Sequence, residues 1–205
     1  MKKRPVRPAP VVHAPAATPL DPDGLDDCIP THLDAQEELN EWEAENIAQA
    51  LRWLAGRRAF DPLSVDALKD LHHHMFDQTW RWAGNFRRSM TNISPVAPEQ
   101  IAERLENLVQ NFRTQYEHSD HTAESLDELA LRFHHELVHI HPWTNGNGRH
   151  ARLATDLLLG KWGRPSFTWG RENLNEAGET RDRYIRAVRA ADGGEYSLLR
   201  QFVRS

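Results

Sequence analysis

The chain has 205 residues, 39% of them hydrophobic and 27% charged, enough for one domain with a buried core. No apolar run approaches the roughly 20 residues of a membrane helix, and the single cysteine, Cys28, excludes both a disulfide framework and a cysteine-based zinc finger. Net charge is −5, but Lys2, Lys3, Arg4 and Arg7 place +4 on the first ten residues and leave −9 on the rest, a balance that repels nucleic-acid phosphates. These features predict a cytoplasmic protein that binds neither nucleic acid nor membrane.

Six of the 12 prolines fall in residues 1–22, so residues 1–28 read as a disordered, Pro-rich basic tail and residues 29–205 as a single folded domain. Asp34 with Glu37 resembles a capping box for a first helix. Its apolar stripe is Leu39, Trp42, Ile47, Leu51 and Leu54, and Gly56 ends it. Ser64 caps a second helix carrying Leu68, Leu71, Met75 and Phe76. Phe86 to Ser94 lack helical periodicity and read as a small β-hairpin. Pro98 suits the first turn of a third helix, with Ile101, Leu105, Leu108 and Phe112 on one face.

Ser125 and Glu128 form a capping box for a fourth helix, whose stripe is Leu129, Phe133, Leu137 and Ile140 and which Pro142 stops. A fifth helix runs from about Gly148 to Lys161. Residues 166–170 are a short strand candidate, residues 174–191 a sixth helix, and Tyr196, Leu199 and Phe202 mark a last one. The fold class is mainly α.

Between the fourth and fifth helices lies His141-Pro142-Trp143-Thr144-Asn145-Gly146-Asn147-Gly148-Arg149, continuing to Arg152. Glycine backbone permits close approach of a ligand, and the free N–H groups at a helix start attract anions. Arg149 and Arg152 lie three residues apart and occupy neighbouring parts of one helix face, where two guanidinium forks suit a polyphosphate. A neutral histidine at position 141 can accept a proton near neutrality. No Walker lysine follows the glycines.

This stretch resembles the Fic family signature, His-Pro-Phe-x-Asp/Glu-Gly-Asn-Gly-Arg-x-x-Arg, at His141, Pro142, Gly146, Asn147, Gly148, Arg149 and Arg152. The looser resemblance covers residues 30–203, with the core at about 64–162. The segment Trp80 to Arg87 looks like the approach to the family's substrate flap. Ile29-Pro30-Thr31-His32, Glu38-Leu39-Asn40-Glu41 and Phe167-Thr168-Trp169-Gly170-Arg171 are similar to stretches in the mobile mystery protein B subgroup.

The resemblance implies a Fic-type (Fido) helical bundle with a β-hairpin flap beside the active-site loop. It also implies transfer of AMP from ATP to a Ser, Thr or Tyr hydroxyl of a target protein. In that scheme His141 is the general base, Gly146, Asn147 and Gly148 hold the α- and β-phosphates, and Arg149 and Arg152 bind the β- and γ-phosphates. Asn145 stands where the family places a carboxylate for Mg²⁺ (or Mn²⁺), and an amide oxygen is a weaker ligand for a hard cation. Trp143 replaces the family's Phe. A catalytically weak nucleotide- or partner-binding module, or a transferase of another phosphate-containing group, remains an alternative. Glu45-Asn46 fits the end of the family's inhibitory helix pattern, which would aim Glu45 at Arg152. The subgroup implies a companion helix-turn-helix protein.

A rival from another class is a zinc peptidase, because His135-Glu136-Leu137-Val138-His139 matches His-Glu-x-x-His. The metzincin positions for the glycine and third histidine hold Pro142 and Asn145, and no glutamate follows in the next helix, so a third ligand is missing. The run His72-His73-His74 reads as partly exposed histidines, since consecutive helical residues point in different directions.

Overall fold

A computed structural model describes residues 27–30, 36–57, 60–171, 174 and 178–205. The basic tail up to residue 26 and the Asp34 cap lie outside the described residues. The helices are α1 (Gln36–Ala55), α2 (Val65–Phe76), α3 (Ile101–Glu117), α4 (Ala123–Ile140), α5 (Asn147–Lys161), α6 (Glu179–Asp192) and α7 (Ser197–Val203).

Local chemistry explains most boundaries. Ser64 caps α2 by accepting from the Ala67 N–H at 3.4 Å. Pro98 opens a 3₁₀ turn, Pro98–Gln100, that feeds α3. The start of α4 lies earlier than the Ser125 capping box predicts. Thr122 is the cap, accepting from the Ser125 N–H at 3.2 Å, while Glu128 binds Arg132 and Arg200 instead.

The first helix presents a different face from the predicted one. Its buried positions are Leu39, Glu43, Asn46, Ala50 and Leu54, whereas Trp42 and Leu51 are exposed. Counting apolar residues alone rotates the face wrongly, because Glu43 and Asn46 are satisfied inside. The Asn46 amide donates to the His74 carbonyl and Asp77, and its carbonyl accepts from the Gln78 N–H and the Thr79 hydroxyl.

The described residues contain no β-strand. Phe86 makes one isolated antiparallel bridge to Trp143, and Cys28 makes another to Trp80. The expected hairpin at Phe86–Ser94 is therefore an irregular loop, whose Arg87 and Ser94 side chains turn to the end of α4. Likewise Trp169–Arg171 is a 3₁₀ turn, pinned where Asp156 accepts from the Phe167 N–H and the Trp169 indole.

Helix α4 is the hub and packs against α3, α5, α6 and α7. One side joins the main core with Leu68, Leu71, Met75, Phe76, Leu105 and Phe112. The other side, through Ala130 and Leu131, joins a second core with Tyr184, Leu199 and Phe202. Fully buried Ala151, Ala154 and Thr155 let α5 approach α4 closely. The motif loop thus emerges from the C-terminal end of the most enclosed helix, a rigid base for a site.

Candidate active site

The last carbonyls of a helix lack partners within it. Here two side chains from the 86–96 loop supply them. Arg87 donates from Nε to the His141 carbonyl at 2.7 Å and from its fork to the carbonyls of Ser89, Val96 and Ile140. The Ser94 hydroxyl sits 2.6 Å from the His139 carbonyl. His141 itself ends α4 in a left-handed conformation, φ 52° and ψ 59°. Its Nδ1 lies 3.3 Å from the Val138 carbonyl. A carbonyl only accepts, so Nδ1 carries the proton and the neutral ring keeps its lone pair on Nε2. Burial pushes the His141 pKa down to about 4, with the Arg87 charge acting in the same sense.

The loop after His141 is braced from within. Trp143 is fully buried and stacks on His72 with ring centroids 4.3 Å apart. Asn147 accepts from the Trp143 N–H at 2.9 Å and donates to its carbonyl at 2.8 Å. The Asn147 side chain therefore shapes the loop, and what it offers a phosphate is its backbone N–H. His150 accepts from the Trp143 indole and donates to the Leu68 carbonyl. His72 donates to the Asn145 carbonyl and accepts from the Gly84 N–H. Far from being partly exposed, His72 is fully buried and ties the motif loop to the Trp80–Gly84 turn; burial pushes its pKa well down, so it is neutral.

Gly146 is the N-cap of α5 with φ +78°. A Cβ there would stand 2.5 Å from Phe76 Cζ, so both conformation and space require glycine. The first hydrogen bond of the helix runs from the His150 N–H to the Gly146 carbonyl. The N–H groups of Asn147, Gly148 and Arg149 thus form the electropositive mouth of α5. Asn145 turns its side-chain oxygen onto the Gly146 N–H at 2.6 Å. That oxygen retains a second lone pair for a cation but carries no charge.

The two motif arginines sit in different environments. Arg149 lies over the Phe76 ring and binds Glu43 at 2.6 Å. Glu43, with its side chain 4% exposed, also accepts from the Trp80 indole at 2.7 Å. Arg152 faces the Tyr184 hydroxyl, which His134 also meets at 3.0 Å. Burial raises the Tyr184 pKa, so this partner is neutral. A Cβ on Gly148 would lie 3.6 Å from Arg152 Nη1, which fixes this guanidinium beside the helix mouth. Burial lowers the pKa of both Arg152 and Arg181, an arginine of α6, and the Arg149 charge acts in the same sense on each, placing three cations in one field.

Glu45 is not the acid at this site. It is exposed and binds Arg52 at 2.9 Å on the outer face of α1. Glu43, two residues earlier, faces inward and meets Arg149 rather than Arg152, because the burial of Asn46 sets the rotation of the helix. His135 and His139 turn toward Asp192. Arg87, Ser94, Glu43, Tyr184 and Arg181 escape the sequence motif, since each acts from a distant segment. His72 left a signal: it lies four residues from both Leu68 and Phe76, on the buried face of α2.

Residues 62–159 match the Fic/DOC family. The protein adenylyltransferase fic-1 of Caenorhabditis elegans is 30% identical over 148 residues, which are 70% of this chain and 26% of that protein. The protein adenylyltransferase Fic of Drosophila yakuba is 32% identical over 123 residues, 59% of this chain and 22% of that protein. The chain thus spans about a quarter of the length of these curated relatives. Among solved structures, the Bartonella tribocorum effector BepC with bound AMPPNP superposes with TM-score 0.68 at 18% identity, covering 84% of this chain and 87% of that one. Fic-1 from C. elegans gives TM-score 0.60 at 27% identity, covering 79% and 47%.

Proposed function

Because residues 62–159 place the chain in the Fic/DOC family, we propose that it is a protein adenylyltransferase that moves AMP from ATP to a side-chain hydroxyl of a target protein. The observation that carries this reading is the pairing of a neutral His141, its lone pair on Nε2, with the N–H mouth of α5 and Arg152. A base and an anion cradle at two ends of one five-residue loop suit attack at a phosphorus.

In this mechanism the target hydroxyl oxygen attacks the α-phosphorus of ATP. Its proton passes to His141 Nε2, the bond from the α-phosphorus to the bridging oxygen breaks, and pyrophosphate leaves. The backbone N–H groups of Asn147, Gly148 and Arg149 receive phosphate oxygens at the helix start. Arg152, whose protein partner is a neutral hydroxyl, gains the most from a polyphosphate and takes charge on the leaving group. A pKa of about 4 makes His141 by itself a weak base. The negative charge of ATP favours the imidazolium and raises that value as the reaction proceeds.

Mg²⁺ or Mn²⁺, if bound with ATP, would neutralise phosphate charge, and Asn145 Oδ1 would hold it as a neutral oxygen ligand beside the phosphates. Glu43 is the internal competitor: while it holds Arg149, that guanidinium is withheld from a phosphate. The test is incubation of the full chain with α-³²P-ATP, Mg²⁺ or Mn²⁺ and a cell lysate, in parallel with γ-³²P-ATP. Label on protein from the α-position alone supports AMP transfer. Label from the γ-position identifies a phosphate transferase, and label from neither, with ATP retained, a binding module.

A further inference from the structure

His135 and His139 stand four residues apart on α4, so their rings share a face. Asp192, the last residue of α6, reaches both: its Oδ1 is 3.0 Å from His135 Nε2 and 3.0 Å from His139 Nδ1. The donor atoms of all three residues lie within 4.8 Å of one another. A tetrahedral zinc with ligands at about 2.0–2.1 Å has ligand–ligand edges of about 3.3 Å. Two edges of that polyhedron are therefore already close to the length an ion needs.

The surroundings suit a metal as well. A ligating histidine usually engages its other ring nitrogen, which fixes the tautomer. His135 Nδ1 lies 2.9 Å from the Tyr196 hydroxyl. A hydroxyl both donates and accepts, so the ring can carry its proton on Nδ1 and turn the Nε2 lone pair toward an ion. The His135 side chain is only 5% exposed, while His139 and Asp192 are 34% and 41% exposed. His139, Glu136 and Tyr196 also line a cleft of about 400 Å³, which gives an ion a route in and a water a place as fourth ligand. The third ligand that the local His-Glu-x-x-His pattern lacked comes from the end of α6, beyond the reach of any short motif.

We propose that His135, His139 and Asp192 bind one zinc-class divalent cation that joins the C-terminal ends of α4 and α6. The ion replaces two N–H···O contacts to a single carboxylate oxygen with three coordinate bonds, and each neutral ring keeps its proton on the nitrogen turned away from the ion. Its consequence is mechanical. Helix α4 ends in His141 and α6 carries Tyr184, the partner of Arg152, so the ion fastens together the two helices that hold the base and the deeper arginine.

The test uses the full chain stripped with a chelator and titrated with Co²⁺, then displaced by Zn²⁺, with parallel thermal melts. The expected result is one Co²⁺ per chain with the intense visible bands of tetrahedral coordination, bleached by one equivalent of Zn²⁺, and a melting temperature raised by Zn²⁺. His139→Ala and the isosteric Asp192→Asn should each weaken Co²⁺ binding at least about 100-fold, the upper range for loss of a mere outer partner. Their far-UV circular dichroism should match the parent. Absence of the bands at one equivalent, or unchanged binding in Asp192→Asn, overturns the assignment.

Discussion

Glu43→Gln isolates the charge of the acid that holds Arg149. The amide keeps the shape and a carbonyl oxygen for the Trp80 indole, so the packing of α1 survives. What is lost is an ion pair at 2.6 Å between side chains 19% and 4% exposed. Two unit charges whose centres are about 4 Å apart attract by about 4 kcal/mol at an effective dielectric of 20. Charge-assisted bonding between Arg149 and the remaining neutral amide returns about half of that. The net release is about 2 kcal/mol, or about 30-fold, inside the 1–3 kcal/mol span typical of coupling between sites. Arg149 can then turn to a phosphate without first breaking the pair. ATP affinity by calorimetry and the initial rate of α-³²P transfer should together rise by about this factor, while the melting temperature drops by a few degrees. Glu45→Gln, on the exposed face, should change neither quantity. Equal ATP affinity and transfer in Glu43→Gln and the parent would refute the competition between Glu43 and phosphate.

Three further outcomes follow from the site. His141→Ala should abolish transfer while leaving ATP affinity within about twofold, because the phosphates meet α5 and the arginines rather than the imidazole; equal kcat in this variant removes the base assignment. Gly146→Ala should lose about 2–4 kcal/mol of stability in urea melts, combining a left-handed φ with a Cβ 2.5 Å from Phe76 Cζ, and a neutral effect contradicts this loop geometry. Burial holds His150 at about 4 in the fold against roughly 6.5 unfolded, so between these values the unfolded chain binds the extra proton. Stability is full above pH 6.5 and falls on acidification by about 1.4 kcal/mol per pH unit from this residue, with His141 acting in the same sense; unfolding midpoints across pH 7 to 5 check the slope, and a flat profile contradicts it.

Much of this protein is legible along the chain because it is local. Apolar residues three and four apart place α2, α3 and α4, Ser64 and Pro98 set helix starts, and Gly146 marks a turn that only glycine can make. The run from His141 to Arg152 also holds its chemistry locally: a histidine at a helix end, glycines at a turn and two arginines on the next helix. What the chain order conceals is how partly polar surfaces choose their partners. In α1 an apolar stripe through Trp42 and Leu51 competes with one through Glu43 and Asn46, and only the Trp80 indole, the Arg149 guanidinium and the 77–79 turn decide for the second. That rotation places Glu43 rather than Glu45 against the motif. The Phe86–Ser94 segment lacks helical periodicity and reads as a hairpin, yet Arg87 and Ser94 fold it onto the open carbonyls of α4. Asp192 meets His135 and His139 across more than fifty residues. Desolvation makes Glu43, Asn46, Arg87 and Ser94 depend on distant partners, since a buried charge or polar group is stable only where another segment completes it. Periodicity therefore determines the helices and the motif determines the loop, while the packing of α1, α4 and α6 decides which acids and histidines face it.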